Sequence, residues 1–134
     1  MANLARKNVL FIDDDEINNF VIQTKMEHSA PGVEAEFCYS ARDAFNYLDS
    51  EISAGRFPNI IFLDVKMPEM DGFDFLEEYH SRGWHDSFSA KIFMVSSSIT
   101  ENDRNKSLKY SAVEEFINKP LNVRKIDNIV HFYF

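Results

Sequence analysis

Three short runs of apolar residues, unbroken by polar alternation, constrain this chain more than any other feature. They are V-L-F-I within Asn8–Ile12, I-I-F-L within Asn59–Leu63 and I-F-M-V within Lys91–Val95. A strand with one wet face alternates apolar and polar residues, so a run without alternation suits a strand buried on both faces. Each run stops abruptly on polar groups: Asp13-Asp14-Asp15, Asp64 and Ser96-Ser97-Ser98. Two weaker strand patterns complete the set, an alternating Val33–Tyr39 and a short Val113–Ile117 that ends in Asn118-Lys119-Pro120.

Helical spacing fills the intervals. Ile17, Phe20, Val21 and Thr24 share one face of a first helix, with Asp15 and Glu16 at its acidic start. A turn is expected at Ser29-Ala30-Pro31-Gly32. Ser40 caps a second helix that buries Ala44, Tyr47 and Leu48, and Gly55 and Pro58 end that region. Phe73, Leu76 and Tyr79 mark a third helix, followed by a long loop over Arg82–Ala90 that contains Trp84. Thr100–Tyr110 is helical but very polar, with Leu108 as its main anchor. Val123, Ile126, Val130 and Tyr133 mark the last helix. Strand and helix therefore alternate five times, which predicts an α/β fold: a five-stranded parallel sheet with helices on both faces. No repeat, low-complexity tract or linker interrupts residues 1–134, so one domain is expected.

Composition removes several function classes. The net charge is −8 and basic residues are not clustered, so nucleic-acid binding is not expected. No apolar run approaches the ~20 residues of a membrane span. The opening MANLARKNVLFIDDD lacks a signal-peptide layout, and a cytoplasmic location is expected. Cys38 is the single cysteine, expected to be buried and inert, which excludes an internal disulfide. The histidines His28, His80, His85 and His131 have no metal spacing, and His80 and His85 are expected to be solvated.

The polar strand ends carry the chemistry. In an open parallel sheet a ligand site lies at the carboxyl ends of the strands, where Asp13, Asp14, Asp64, Ser96 and Lys119 all fall. Clustered carboxylates repel one another unless a cation neutralises them, and an oxygen-only set selects a hard ion such as Mg²⁺. A carboxylate beside such an ion can attack phosphorus to form an acyl phosphate. A lysine ammonium, a serine hydroxyl and the ion suit the charge on the transferred group. Asp15 is expected to serve only as a helix cap.

The segments V-L-F-I-D-D-D (Val9–Asp15), F-L-D-V-K-M-P-E-M-D-G-F (Phe62–Phe73), I-F-M-V-S-S-S (Ile92–Ser98) and F-I-N-K-P-L (Phe116–Leu121) together resemble the receiver domain of two-component response regulators. The resemblance spans nearly the whole chain. It implies a (βα)5 flavodoxin-like, doubly wound fold in a stand-alone receiver with no output domain. It implies that Asp64 is the phosphoacceptor, that Asp14 binds Mg²⁺ directly and Asp13 through water, and that Asp64 and the Lys66 backbone carbonyl complete the ligand set. Ser96 would be the switch hydroxyl, Lys119 the phosphoryl contact and Phe116 the switch aromatic, with a cis Lys119–Pro120 bond. A histidine kinase or histidine phosphotransfer protein would donate the phosphoryl group. A downstream protein would read the surface of the fourth predicted helix, fifth strand and last helix, which could also pair two copies. The Ser-Ser-Ser-Ile-Thr-Glu-Asn segment and the long loop are similar to single-domain receivers of the bacterial phytochrome type.

Ser97 stands where that family usually has Ala or Gly, and the Lys66 side chain lies beside the acceptor; both are expected to tune phosphoryl lifetime. The tail His131-Phe132-Tyr133-Phe134 cannot bury all its aromatics on one helix face. One competing function is a Mg²⁺-dependent phosphohydrolase of the haloacid dehalogenase type with Asp13 as nucleophile, because Asp13-x-Asp15-x-Ile17 resembles that family's first motif. Another is a receiver-like module that binds without phosphorylation.

Overall fold

A computed structural model describes residues 7–29 and 33–134; the expected Ser29–Gly32 turn falls largely outside them, as does the His28 side chain. The chain runs β1 (Lys7–Ile12), α1 (Glu16–Ser29), β2 (Val33–Cys38), α2 (Ala41–Ala54), β3 (Ile60–Asp64), α3 (Gly72–Ser81), α4 (Trp84–Ser87), β4 (Lys91–Ser96), α5 (Glu101–Ser107), β5 (Val113–Asn118) and α6 (Val123–Tyr133). All five strands are parallel, in the order β2-β1-β3-β4-β5. This is the expected five-stranded sheet with helices on both faces.

The unalternating runs bury both faces, as their composition requires. Leu10, Ile12, Ile61, Leu63, Ile92 and Met94 point to the side covered by α2, α3 and α4. Val9, Phe11, Ile60, Phe62, Phe93 and Val95 point to the side covered by α1 and α6. On that second side a row of rings crosses the strands, with centroids 4.7 Å apart for Phe37–Phe11, 5.1 Å for Phe11–Phe62 and 5.6 Å for Phe62–Phe93. Such pairs contribute about 0.5–1.5 kcal/mol each beyond their burial.

Four expectations are corrected. The face of α1 that meets the sheet is Asn19, Ile22 and Met26; Ile17, Phe20 and Val21 are exposed, Ile17 by 78% and Phe20 by 68%. Both faces carry helix-spaced apolar residues, and only the one with the polar Asn19 packs. Leu108 does not anchor α5 but is 81% exposed. Instead α5 is held by the Thr100–Asp103 capping box, by buried Ser107 and by the Lys106 ammonium 4.3 Å from the Phe73 ring centre. The segment after α3 is not wholly a loop. Trp84 opens the turn α4 and seals the core, 5.6 Å from Tyr79 and 5.8 Å from both Phe45 and Phe57, with the Arg82 guanidinium over its ring. Lastly, His80 and His85 are not freely solvated: their rings stack 4.1 Å apart, and burial together with His85 pushes the His80 imidazole below its ordinary range.

Smaller features follow the sequence. Asp15 accepts from the Asn18 N–H and caps α1, and Ser40 caps α2 through the Asp43 N–H. Tyr47 departs from the sequence as a fifth, smaller correction: it is half-buried rather than buried, its hydroxyl donating to Glu51. Cys38 is buried, and that burial pushes its thiol up to about 12. No described helix is long and apolar enough to cross a membrane.

Candidate functional site

The order of the strands places the site. Connections from β1 and β3 leave on opposite sides of the sheet, so a crevice opens at their carboxyl ends. Asp13 follows β1 and Asp64 ends β3, one on each side of that crevice. Asp64 pairs in register with Val95 on β4, and Ser96 with Asn118 on β5.

The chain folds tightly around the two carboxylates. The Asp13 N–H donates to the Cys38 carbonyl (3.1 Å), and the Asp13 Oδ1 accepts from the Asp15 N–H (2.9 Å). Below Asp64, the Gly72 N–H donates to the Val65 carbonyl (2.8 Å). A Cβ on Gly72 would lie 2.7 Å from the Asp64 carbonyl oxygen, so only glycine lets α3 start this close to the acceptor strand.

Asp13 and Asp64 are buried, and Asp14 is exposed at the rim. Oxygens of all three lie within 4.8 Å of one another, and it is the one cluster of three or more possible metal-binding groups among the described residues. The Lys119 Nζ stands 3.3 Å from Asp13 Oδ2 and 3.4 Å from Asp64 Oδ2, bridging β1 and β3 from the end of β5. The Lys119–Pro120 peptide is cis, and the Lys119 N–H donates to the Ser96 carbonyl (2.9 Å).

One ammonium does not neutralise three carboxylates. Burial, and next the Asp13 charge, push the Asp64 carboxyl from 3.8 up to about 6, against the pull of Lys119. Burial alone would lower the Lys119 ammonium, but Asp13 and Asp64 outweigh it and the net direction is upward. The three carboxylates carry more negative charge than Lys119 offsets, and their oxygens are the donors that fit a hard divalent cation.

The remaining expected residues sit around this centre. Ser96 is buried, but its hydroxyl donates to the Ser98 carbonyl and accepts the Ser98 N–H, both at 3.2 Å. The Lys66 N–H points to Asp64 Oδ1 (3.4 Å), while the Lys66 side chain and Ser97 are exposed. Phe116 is half-buried on β5, its ring 6.5 Å from Phe73. Two residues escaped the sequence reading. Asn18 Nδ2 lies 3.5 Å from Asp13 Oδ2, and the buried Asn19 Nδ2 donates to the Asp13 carbonyl at 2.8 Å. A polar residue in register with Ile22 and Met26 was the signal for Asn19.

The response regulator receiver domain family matches residues 9–131. The chain belongs to that family. As a receiver domain of two-component signalling it is homologous to response regulators and to the receivers of hybrid kinases. It is similar to a two-component response regulator from Cytophaga hutchinsonii, with 28% identity, a TM-score of 0.83, and 95% of this chain and 96% of that one covered. It also resembles the phosphorylated cyanobacterial phytochrome response regulator RcpA, with 25% identity, a TM-score of 0.76, and 96% and 94% coverage. Against hybrid signal transduction histidine kinase L of Dictyostelium discoideum it is 28% identical over 126 residues, 93% of this chain but only 7% of that protein. Receiver domains are phosphoacceptor signalling modules rather than enzymes acting on outside substrates.

Proposed function

We propose that this receiver accepts a phosphoryl group on Asp64 from a histidine kinase or phosphotransfer protein, in the cytoplasm, and passes the result to another protein. The convergence of Asp13, Asp14, Asp64 and Lys119 at one crevice carries this reading. A Mg²⁺ ion held by Asp14, Asp64, the Lys66 carbonyl and, through water, Asp13 would offset the charge of the carboxylates and of the incoming group. An Asp64 carboxylate oxygen forms the new bond to phosphorus as the phosphorus–nitrogen bond of the donor breaks, and the departing imidazole keeps the electron pair and takes up a proton. Lys119 supplies the fixed positive charge facing that group.

The readout surface is α5, β5 and α6. With few buried anchors, α5 is a low-stability element of the kind that moves in switching. Ser96 would exchange Ser98 for the phosphoryl oxygens, and Phe116, lacking a hydroxyl, can turn inward without stranding a polar group. Ser97 and Lys66, exposed at the rim, would tune phosphoryl lifetime. A downstream protein would read the altered surface, and a second copy of the chain is its competitor there.

The exposed apolar face of α1 supports a protein donor. Ile17, Phe20 and Val21 lie within two turns of Asp14 and offer such a donor an exposed apolar surface beside the site. Replacing Phe20 with Ala should slow transfer from a phosphohistidine-carrying protein at least tenfold while leaving phosphorylation by acetyl phosphate within twofold of wild type. Radiolabel transfer measures both. Equal slowing with both donors would contradict the docking role, and failure of the wild type with both would contradict the proposed function itself.

A further inference from the structure

The mechanism uses the carboxylates but leaves a buried carboxamide beneath them. Asn19 is 1% exposed, at the N-terminal end of the α1 face that meets the sheet. Its Nδ2 donates to the Asp13 carbonyl at 2.8 Å, six residues back across the β1–α1 turn. Its orientation is set by chemistry: a flipped amide would press oxygen against that carbonyl oxygen. Its Oδ1 is buried with no protein donor. Leaving such an atom unpaired costs about as much as a lost hydrogen bond, so buried polar atoms of this kind normally have a partner.

Beside Asn19 lies a cavity of about 10 Å³. That is room for one water and no more. Phe11, Ile22 and Phe62 wall it, and Asp13, Asn19 and Asp64 supply its polar lining together with Asn18. A water there would have the side chains of Asn19, Asp13, Asp64 and Asn18, all of which line the cavity, as its polar partners, with the unpartnered Asn19 Oδ1 as one acceptor. That meets the two to four polar partners a buried water needs.

We infer that Asn19 is a positioning residue for the acidic pocket: its amide clamps the Asp13 carbonyl, and its oxygen holds one trapped water against the Asp13 and Asp64 carboxylates. The inference rests on the proposed phosphoacceptor reading only for its consequence. The clamp sets the turn that carries Asp13 and Asp14, and the water links the Asn19 amide to the carboxylates that this turn positions. A purely structural Asn19 would contribute to folding alone.

The test compares wild type with Asn19→Leu, Asn19→Ser and Met26→Ala, the last being a buried apolar residue on the same face of α1 that does not line the cavity. Magnesium titration followed by backbone amide shifts gives cation affinity, and thermal melting gives stability. Asn19→Leu should weaken Mg²⁺ binding at least fivefold. Asn19→Ser, which keeps a donor and admits a second water, should fall between it and wild type and serves where the leucine variant does not fold. Met26→Ala should melt at a lower temperature with wild-type Mg²⁺ affinity. Asn19 variants that melt lower yet bind Mg²⁺ like wild type would overturn the inference.

A second readout needs no cation. The Asp15 N–H donates to Asp13 Oδ1, so loosening the turn should speed its hydrogen exchange at least fivefold in the Asn19 variants and not in Met26→Ala. An unchanged Asp15 rate also overturns the inference. If wild type takes up no Mg²⁺ at all, the proposed function fails, and the Asp15 rate then decides the role of Asn19 by itself. A long-lived water giving an NOE to the Asn19 side-chain amide is expected in wild type, and its absence would refute the water.

Discussion

Replacing Lys119 with Met should slow phosphorylation of Asp64 by acetyl phosphate about 10²–10³-fold, the usual effect of removing one preorganised group that faces developing charge. The methionine keeps much of the stem's volume and removes the ammonium that stands 3.3 Å from Asp13 and 3.4 Å from Asp64. The pH dependence should move as well. Lys119 is the opposing influence that holds the Asp64 carboxyl down at about 6, so without it the carboxyl rises further and the pH at which the acceptor ionises shifts upward. Initial rates of adduct formation across pH measure both effects. A rate within threefold of wild type would show that Lys119 only braces the pocket.

The second large effect is on stability and has the opposite sign from most buried substitutions. Asp64 ionises at about 6 in the folded chain against an ordinary 3.8, so between those values the folded state holds a proton that the unfolded state has released. Stability therefore falls as pH rises through that window, and the deficit persists above it. Asp64→Asn removes the buried charge while keeping the shape. The variant should be more stable than wild type by about 1–3 kcal/mol above pH 7, with the gap closing below about pH 4. Magnesium should narrow the gap at neutral pH by stabilising only the wild type. Urea unfolding at the two pH values reads it directly; a wild type as stable as the variant at neutral pH would mean that the pocket is not charge-strained.

Much of this was legible because it depends on periodicity and connectivity. Runs without alternation can be buried only between two layers, and five alternating strand–helix units leave few topologies other than a parallel sheet. That topology alone brings Asp13, Asp64, Ser96 and Lys119 to one edge from distant parts of the chain. The errors share a physical origin: local spacing does not say which of two amphipathic faces wins. On α1 the more apolar stripe of Ile17, Phe20 and Val21 stays outside, while Asn19, Ile22 and Met26 pack. The winning face includes the residue that can satisfy the Asp13 carbonyl, a tertiary requirement invisible to a helical wheel. Leu108 misleads for a related reason, because a single apolar residue in a polar helix is no anchor when the contact is made by Lys106 on Phe73. The His80–His85 stack and the Trp84 seal depend on how α3 ends and α4 turns back, which no spacing rule encodes. The direction of the Ser96 hydroxyl, toward Ser98, is likewise a local hydrogen-bond choice.

The central claim is that the acidic pocket exists to make Asp64 a phosphoacceptor. Its most direct test is intact and peptide mass spectrometry after incubating the protein with acetyl phosphate, with and without Mg²⁺. One adduct of about 80 Da, the mass of a phosphoryl group, is expected, formed only with Mg²⁺, located on the peptide containing Asp64 and absent in Asp64→Asn. An adduct located on Asp13 and retained in Asp64→Asn would contradict it and favour the phosphohydrolase arrangement; no adduct under any condition would favour a receiver that binds its partners without phosphorylation.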